Sequence, residues 1–408
     1  MFYLTYFIIM LTNRDIIVVS IQTWDIEIGS NSRNLSKVFA KNNRVLYVNP
    51  PLDRITTIKE RKLERMQKRI KIAKSRKPEL VEISPNIWNL FPATIIESIN
   101  WIKSPRLFDW MNRINNKRFA RQIKLAIEKL GFKDFVIFND SDMFRSLYLK
   151  ELLKPETYIY YTRDNLIAVD YWKKQGVRLE ALHMKKADLV VANSTYLASL
   201  AKKFNPNSFY VGQGVEFDLF DTKLVTVIPE DIRSIPKPII GYIGSLLALR
   251  LDLEVLEFIA KNRPEWSLVL VGPEDKAFKN SALHTYKNVF FLGNKSMNEL
   301  SSYISQFDVA LNPQVINPVT IGNYPRKIDE YLAMGRPTVA TRTEAMSEFE
   351  KYTYLAETKE EYISLIDKAL QEDNEQLQLE REKFVRQHTW ENNVLEISKA
   401  VQLVKKTN

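Results

Sequence analysis

The stretch PRKIDEYLAMGRPTVAT, Pro325 to Thr341, decides how this chain is read. Pro325 stands where a first helical residue is favoured, because its missing N–H is an orphan donor there anyway. Ile328, Tyr331 and Leu332 form an i, i+3, i+4 apolar face. Gly335 then reads as the C-terminal cap, Pro337 bars continuation, and Thr338 to Thr341 reads as a short buried strand. Lys327 and Glu330 lie three apart, on the side of the first turns opposite the apolar face. A helix start carries unpaired N–H groups and a positive dipole end, which suit a phosphate. A lysine adds a point charge there, and a carboxylate one turn on can accept two ribose hydroxyls. The same residues also read as a capped amphipathic helix with a surface Lys/Glu pair.

Outward from this stretch the chain alternates strands and helices, which predicts parallel sheets covered by helices. Strands are expected at 15–21, 44–51, 135–140, 157–162, 188–194 and 208–214, with a helix over 29–41. Residues 221–237 break the rhythm with Pro229 and Pro236 and read as a linker. A second set follows at 238–244, 267–272, 288–293, 308–313 and 337–341. The fold class is therefore α/β, with two Rossmann-like doubly wound lobes and a cleft between them. The first domain is expected over 1–220, the second over 238–388, and a last helix over 389–408. Ligands in such sheets sit outside the carboxyl ends of the strands.

The 325–341 stretch resembles the donor-site signature P-x-K-[LI]-x-E-Y-L-A-x-G-[KR]-P-V-V-A-T. It is that of GT-B-fold glycosyltransferases of the group 1, or family-4, type, in the bacterial cell-surface polysaccharide (teichuronic-acid-type) branch. The resemblance spans roughly residues 15–400. It implies that Lys327 binds the donor diphosphate, that Glu330 binds the ribose, and that a final helix returns to the first lobe. In IGYIGSLLALRLD (240–252), Gly241 and Gly244 flank the end of a strand, where glycine lets backbone approach a phosphate. The family places an arginine after the second glycine and a lysine about five residues on. Here these are Ser245, a departure, and Arg250, which carries over. A second departure is Gly322, where many members have a sugar-facing glutamate eight residues before the ribose glutamate. The loop TIGNYP offers Gly322, Asn323 and its backbone instead. Loops 271–275 and 292–296 are expected beside the nucleobase, and the loop at Gly29 near the scissile bond.

In the first lobe YYTRDNLIAVDYW (160–172) matches a segment in which an aspartate recurs. That is Asp164, with Arg163 beside it. The pair is the catalytic expectation, with Asp164 orienting or deprotonating an acceptor hydroxyl. A helix cap or an Arg163 salt bridge accounts for the same residues. Glu180 reads as structural. Asp140 and Asp142 form a D-x-D, but GT-B enzymes generally use dipoles and basic residues, so no metal site is assigned.

The bulk numbers agree. The chain has 408 residues, 45% hydrophobic and 26% charged, enough for two packed domains. Zero cysteines exclude disulfides, thiolate metal sites and cysteine nucleophiles. His183, His284 and His388 are too scattered to suggest a metal cluster. The net charge of +10 favours anionic partners. Much of it lies in 59–77, with ten Lys or Arg against two Glu. Leu63, Met66 and Ile70 recur there at helical spacing. A basic amphipathic helix is expected, with Lys68, Arg69, Lys71 and Lys74 on anionic lipid and Ile95, Ile96, Trp101, Phe108 and Trp110 as apolar anchors. A solvated charged helix over an ordinary core accounts for the same pattern. No nucleic-acid motif accompanies the charge. The opening MFYLTYFIIML is shorter than the roughly 20 residues of a spanning helix. It reads as an interfacial anchor or as sequence upstream of a start at Met10.

The implied activity is transfer of a sugar from a nucleoside diphosphate sugar, a co-substrate with no other cofactor, to a lipid-linked or polysaccharide acceptor. It would act in the cytoplasm, peripherally on the inner membrane surface, without metal. Sugar-nucleotide epimerisation and a non-catalytic GT-B scaffold are the two alternatives.

Overall fold

The computed structural model describes residues 10–25 and 30–407. The residues of the opening apolar run before Met10, and Gly29, lie outside that range. The chain forms two compact units, residues 1–212 with 390–408, and residues 213–389.

The first unit holds β1 (Asp15–Ser20), β2 (Arg44–Val48), β3 (Leu52–Asp53), β4 (Glu79–Ser84), β5 (Ile87–Phe91), β6 (Ile95–Ile96), β7 (Val136–Asp140), β8 (Thr157–Thr162), β9 (Leu189–Ala192) and β10 (Ser208–Tyr210). Eight of them make one sheet in the order β10-β9-β8-β7-β1-β2-β5-β4. It is parallel except for the β4 edge, which runs antiparallel to β5. Both faces are covered, so the strands are near-continuous apolar runs. Ile16, Val18, Tyr47 and Phe138 face helix Asn31–Phe39 and helix Trp390–Thr407. Ile17, Val19, Leu46 and Ile137 face helix Pro105–Leu130 through Phe119 and Ile123. The strands β4 and β5 were not expected. β4 (ELVEIS) is an edge strand with no fully buried residue, so its apolar signal is weak.

The second unit has one six-stranded, all-parallel sheet. Its strands are β11 (Ile239–Ile243), β12 (Ser267–Val271), β13 (Val289–Gly293), β14 (Val309–Asn312), β15 (Thr338–Thr341) and β16 (Tyr354–Ala356). The order β13-β12-β11-β14-β15-β16 reverses between β11 and β14, and that switch point is where such a sheet opens a crevice. Residues 221–237 are not a bare linker. Ile232 and Ile235 are buried in this unit's core, as are Val215 and Phe220 just before the segment, and Asp231 binds Lys295 at 2.6 Å and the Tyr303 hydroxyl at 2.8 Å. Pro229 is the N-cap of a short helix, Glu230–Arg233, within this packed segment.

Candidate functional site

The expected helix runs Arg326–Ala333, one residue later than the sequence suggested, with Pro325 as its N-cap. Ile328, Tyr331 and Leu332 are fully buried. Gly335 adopts φ +69°. Its N–H reaches the Leu332 carbonyl at 3.0 Å, and the Arg336 N–H reaches that of Tyr331 at 2.9 Å. This is a Schellman closure, which only a residue tolerant of the left-handed region makes cheaply. β15 follows directly.

This helix begins beside the end of β11. The Tyr331 hydroxyl accepts the Ile243 N–H at 3.0 Å, which locks helix to strand. Gly244 leaves the strand with φ +133°, and a β-carbon there would meet Lys327 Cε at 2.2 Å and Nζ at 2.8 Å. The Lys327 ammonium lies 5.6 Å from the centre of the Tyr242 ring. Gly272, after β12, has φ +147°, and its β-carbon would strike the Gly244 carbonyl at 2.0 Å. Two glycines thus stack their backbones under one lysine. Gly241 serves another purpose: it lies within β11, and the Phe307 ring occupies the space of its missing side chain. It is a packing glycine, not a phosphate glycine.

Glu330 is only 7% exposed and accepts from Arg326 Nε at 3.0 Å. Burial raises its pKa, while the charges of Arg326 and Lys327 oppose that rise. Arg326 also stands 3.8 Å from Glu216. The loop after β14 is tied to the loop after β11. Val315 donates to the Arg250 carbonyl at 3.0 Å, Asn317 Nδ2 donates to the Leu249 carbonyl at 2.8 Å, and Leu251 bridges Gln314. The Arg250 side chain is exposed at this junction. Gly322 is buried in the same loop. The Asn323 N–H is consumed by the Thr320 carbonyl at 3.0 Å, so that backbone donor is not offered as expected. The Asn323 side-chain oxygen is buried and has no partner. In the flanking loops, Asp275 accepts from the Ala248 N–H at 2.9 Å, and Glu274 binds His284 at 2.8 Å.

His388 binds Asp329, on the same helix as Lys327 and Glu330, at 2.7 Å, and Asp329 is fully buried. Burial works against the charge on both groups. It raises Asp329, and for His388 the Asp329 carboxylate outweighs it and leaves the imidazole above its ordinary value.

In the first unit the reversal falls between β1 and β7, and Arg163 serves that point. Its Nε donates to the wholly buried Asp140 at 2.7 Å, and Ser20 Oγ donates to the other Asp140 oxygen at 2.8 Å. Burial disfavours the Arg163 charge, but Asp140 and Asp164 hold it above the ordinary arginine value. Arg163 also reaches Asp164 at 3.0 Å, and the Asp164 side chain is 37% exposed. Arg163 is thus a buried partner of Asp140, and Asp164 is the member of the pair that meets solvent. Asp142 is spent on Arg145 at 2.8 Å. Among the described residues no three His, Asp or Glu side chains converge as metal ligands. Glu180 accepts from the Tyr160 hydroxyl at 3.2 Å and is pushed up to about 7 by burial.

The basic segment differs from expectation. It forms the expected helix, Glu64–Ser75, and Lys59 ends a separate short one, Arg54–Lys59, but the apolar face is not free for lipid. Met66, Ile70 and Ala73 pack on Leu52 and Ile95, so the apolar face is used internally, while Leu63 is exposed. Arg69 turns inward to the Pro50 carbonyl, and burial lowers it to about 10. Lys68 pairs with Glu79 at 3.4 Å, and Lys71 and Lys74 are exposed. Phe108 and Ile96 are buried and cannot serve as surface anchors. Trp101 and Trp110 are exposed, and Trp101 lines a cavity. Among the described residues no helix is long and apolar enough to cross a membrane.

Residues 237–372, which contain Gly244, Arg250, Gly322, Asn323, Lys327 and Glu330, match the family model described as glycosyl transferases group 1. The chain is 25% identical over 241 residues to the putative teichuronic acid biosynthesis glycosyltransferase TuaH of Bacillus subtilis. That alignment takes in 56% of this chain and spans 60% of the relative's length. Among solved structures, sucrose-phosphate synthase from Thermosynechococcus elongatus aligns with TM-score 0.66 and 17% identity, over 97% of this chain and 100% of the other. Anabaena HepE in complex with UDP aligns with TM-score 0.55 and 13% identity, over 96% and 98%. The chain therefore has the GT-B fold, and the lysine, glutamate and glycines gathered at the switch point of the second unit lie within the stretch that matches the group 1 glycosyl transferase model.

Proposed function

We propose that the chain is a glycosyltransferase that moves a hexosyl group from a nucleoside diphosphate sugar to a lipid-linked or polysaccharide acceptor in cell-surface glycan synthesis. One observation carries this reading: Lys327 lies over the side-chain-free surface of Gly244, with Glu330 one turn further along the same helix. A diphosphate seated there would meet the ammonium and the dipole end of the helix, and Glu330 would take the ribose hydroxyls. Arg250, exposed at the rim, supplies a second cation near the leaving group in place of the missing arginine at Ser245. The protein's work is then to stabilise the departing diphosphate and to position the acceptor hydroxyl. Asp164 is the group assigned to that hydroxyl, and Arg163, tied to Asp140, fixes where Asp164 stands. The complex of HepE with UDP favours a uridine donor. The likeness to the teichuronic acid glycosyltransferase favours a cell-surface glycan.

The reaction needs no metal in this scheme, and activity is expected to persist in EDTA. The surface cations Lys68, Lys71 and Lys74, with Trp110, are assigned to the anionic inner face of the membrane, where the enzyme would act from the cytoplasm. Turnover of a nucleotide-sugar panel with membrane extract tests the function. Release of nucleoside diphosphate coupled to sugar incorporation supports it. Epimerised nucleotide sugar without incorporation would favour an epimerase, and binding without turnover a scaffold in which Gly322 marks lost catalysis.

A further inference from the structure

The excess positive charge sits on one unit. Residues 1–212 with 390–408 carry 39 Lys or Arg against 22 Asp or Glu, whereas residues 213–389 carry 20 against 27. A large share lies on helix Pro105–Leu130, with seven Lys or Arg against two acids. We propose that the outer face of this helix docks on an anionic bilayer and that a cavity at its middle takes a lipid phosphate. The proposal rests on the membrane assignment above, not on the donor reading, and it names a different face from Lys68, Lys71 and Lys74.

Phe108, Phe119, Ile123 and Ala126 turn the inner side of the helix to the core. On the opposite side Arg106, Trp110, Arg113, Lys117, Arg121 and Lys124 follow one another at spacings of three and four. They stand in one row, and all six are exposed. Among the described residues none of the five cations in the row is ion-paired. The helix's own acids do not serve them: Asp109 is taken by Arg178 at 2.7 Å, and Glu128 stands past the row's end. Like charges four apart destabilise a helix, and Arg113, Lys117 and Arg121 are successive neighbours of that kind. Negative charge laid along the row offsets the repulsion.

A cavity of about 260 Å³ opens beside the middle of the row, lined by Arg113, Lys117, Tyr148, Glu151, Leu152 and Lys186. The Arg113 guanidinium lies 4.9 Å, and the Lys186 ammonium 4.4 Å, from the centre of the Tyr148 ring. Glu151 binds Lys186 at 2.6 Å, which leaves Arg113 and Lys117 without a counterion. A guanidinium fork matches the oxygens of a phosphate, and an ammonium adds a point charge. The two side chains leave one helix a turn apart, so a single phosphate can meet both.

What stands next to these cations favours a bilayer over a soluble anion. Trp110 is 61% exposed and precedes Arg113 by one turn on the same row, and Leu107, 46% exposed, precedes Trp110 by another. An indole beside a basic row suits a membrane interface, where the ring lies at headgroup depth and the cations meet phosphates. In helix Glu64–Ser75, by contrast, Met66, Ile70 and Ala73 are packed internally.

The test is cosedimentation of the full chain with vesicles of phosphatidylglycerol and phosphatidylcholine, and with phosphatidylcholine alone, beside binding of inorganic phosphate and of heparin. Thermal melts check the fold of each variant. Wild type is expected on the anionic vesicles only. Arg113→Gln combined with Lys117→Gln should weaken that binding by about tenfold or more at low salt, since each cation contributes up to about fivefold. Trp110→Ala should lower the fraction that stays bound at high salt. UDP affinity, which reports on the donor reading, should not change in any of them. Binding of the double variant equal to that of wild type would overturn the proposal; loss of binding on replacing Lys68, Lys71 and Lys74 with Gln would then leave the membrane assignment standing without it. Heparin or inorganic phosphate bound without anionic vesicles would also overturn it, and no binding to any vesicle would overturn it together with the membrane assignment.

Discussion

Gly244 and Lys327 occupy each other's space: a β-carbon on the glycine would sit 2.2 Å from the lysine's Cε. The left-handed φ of +133° adds strain for any other residue. Gly244→Ala should therefore displace the ammonium from the strand end. Nucleoside diphosphate affinity should fall by about 1.5–3 kcal/mol, the scale of a hydrogen bond to a charged group. Calorimetric titration with UDP checks this. Gly241→Ala should act differently, lowering thermal stability by pressing on Phe307.

The His388–Asp329 pair predicts a pH dependence. His388 has a folded value above its ordinary 6.5. Its contribution is complete below that ordinary value and disappears as pH rises through the folded value. His388→Gln should cost about 1.5–3 kcal/mol at about pH 6. The difference from wild type should shrink as pH rises through the folded value, where the wild-type imidazole loses its charge. Urea unfolding across that range measures it. A difference that grows with pH would mean that the pair does not hold the helix Arg326–Ala333.

Asp140 and Asp164 should separate stability from chemistry. Asp140→Asn leaves Arg163 as a buried cation with a weakened partner and should destabilise the chain by about 3–5 kcal/mol. Asp164→Asn sits at a partly exposed carboxylate and should change stability by less than about 1 kcal/mol while lowering kcat. Thermal melts beside turnover assays distinguish them. A fall in kcat for neither would remove Asp164 from the mechanism.

Lipid binding should depend on charge more than on the helix's apolar face, since Met66, Ile70 and Ala73 are already packed. Each exposed lysine contributes up to about 1 kcal/mol near an anionic leaflet, over a Debye length of about 10 Å at 0.1 M salt. Replacing Lys68, Lys71 and Lys74 with Gln should reduce cosedimentation with anionic liposomes at low salt. Arg69→Gln should instead lower stability, because that side chain faces Pro50. Equal sedimentation of wild type and the triple variant would make the segment a solvated face.

The second unit was legible because its signals are local. Pro325, the 328/331/332 face and Gly335 each follow from backbone chemistry within a few residues, and the buried parallel strands read as apolar runs. What stayed hidden depends on distant partners. Nothing in the neighbourhood of Gly241 says that Phe307 will fill its space. Nothing near His388 names Asp329. The prolines of 221–237 suggested a linker, although Phe220, Ile232 and Ile235 flank them with core side chains. Asp140 was weighed only as a metal ligand, and its pairing with Arg163 across neighbouring strands has no sequence spacing to reveal it.

Calorimetric titration of UDP into wild type, Lys327→Ala and Glu330→Ala decides whether Lys327 and Glu330 form a nucleoside diphosphate site. Wild type should bind, and Lys327→Ala should lose about 1.5–3 kcal/mol through the diphosphate. Glu330→Ala should also lose affinity, but for uridine as well as for UDP, because its contacts are to the ribose. Unchanged UDP affinity in both variants would contradict the account.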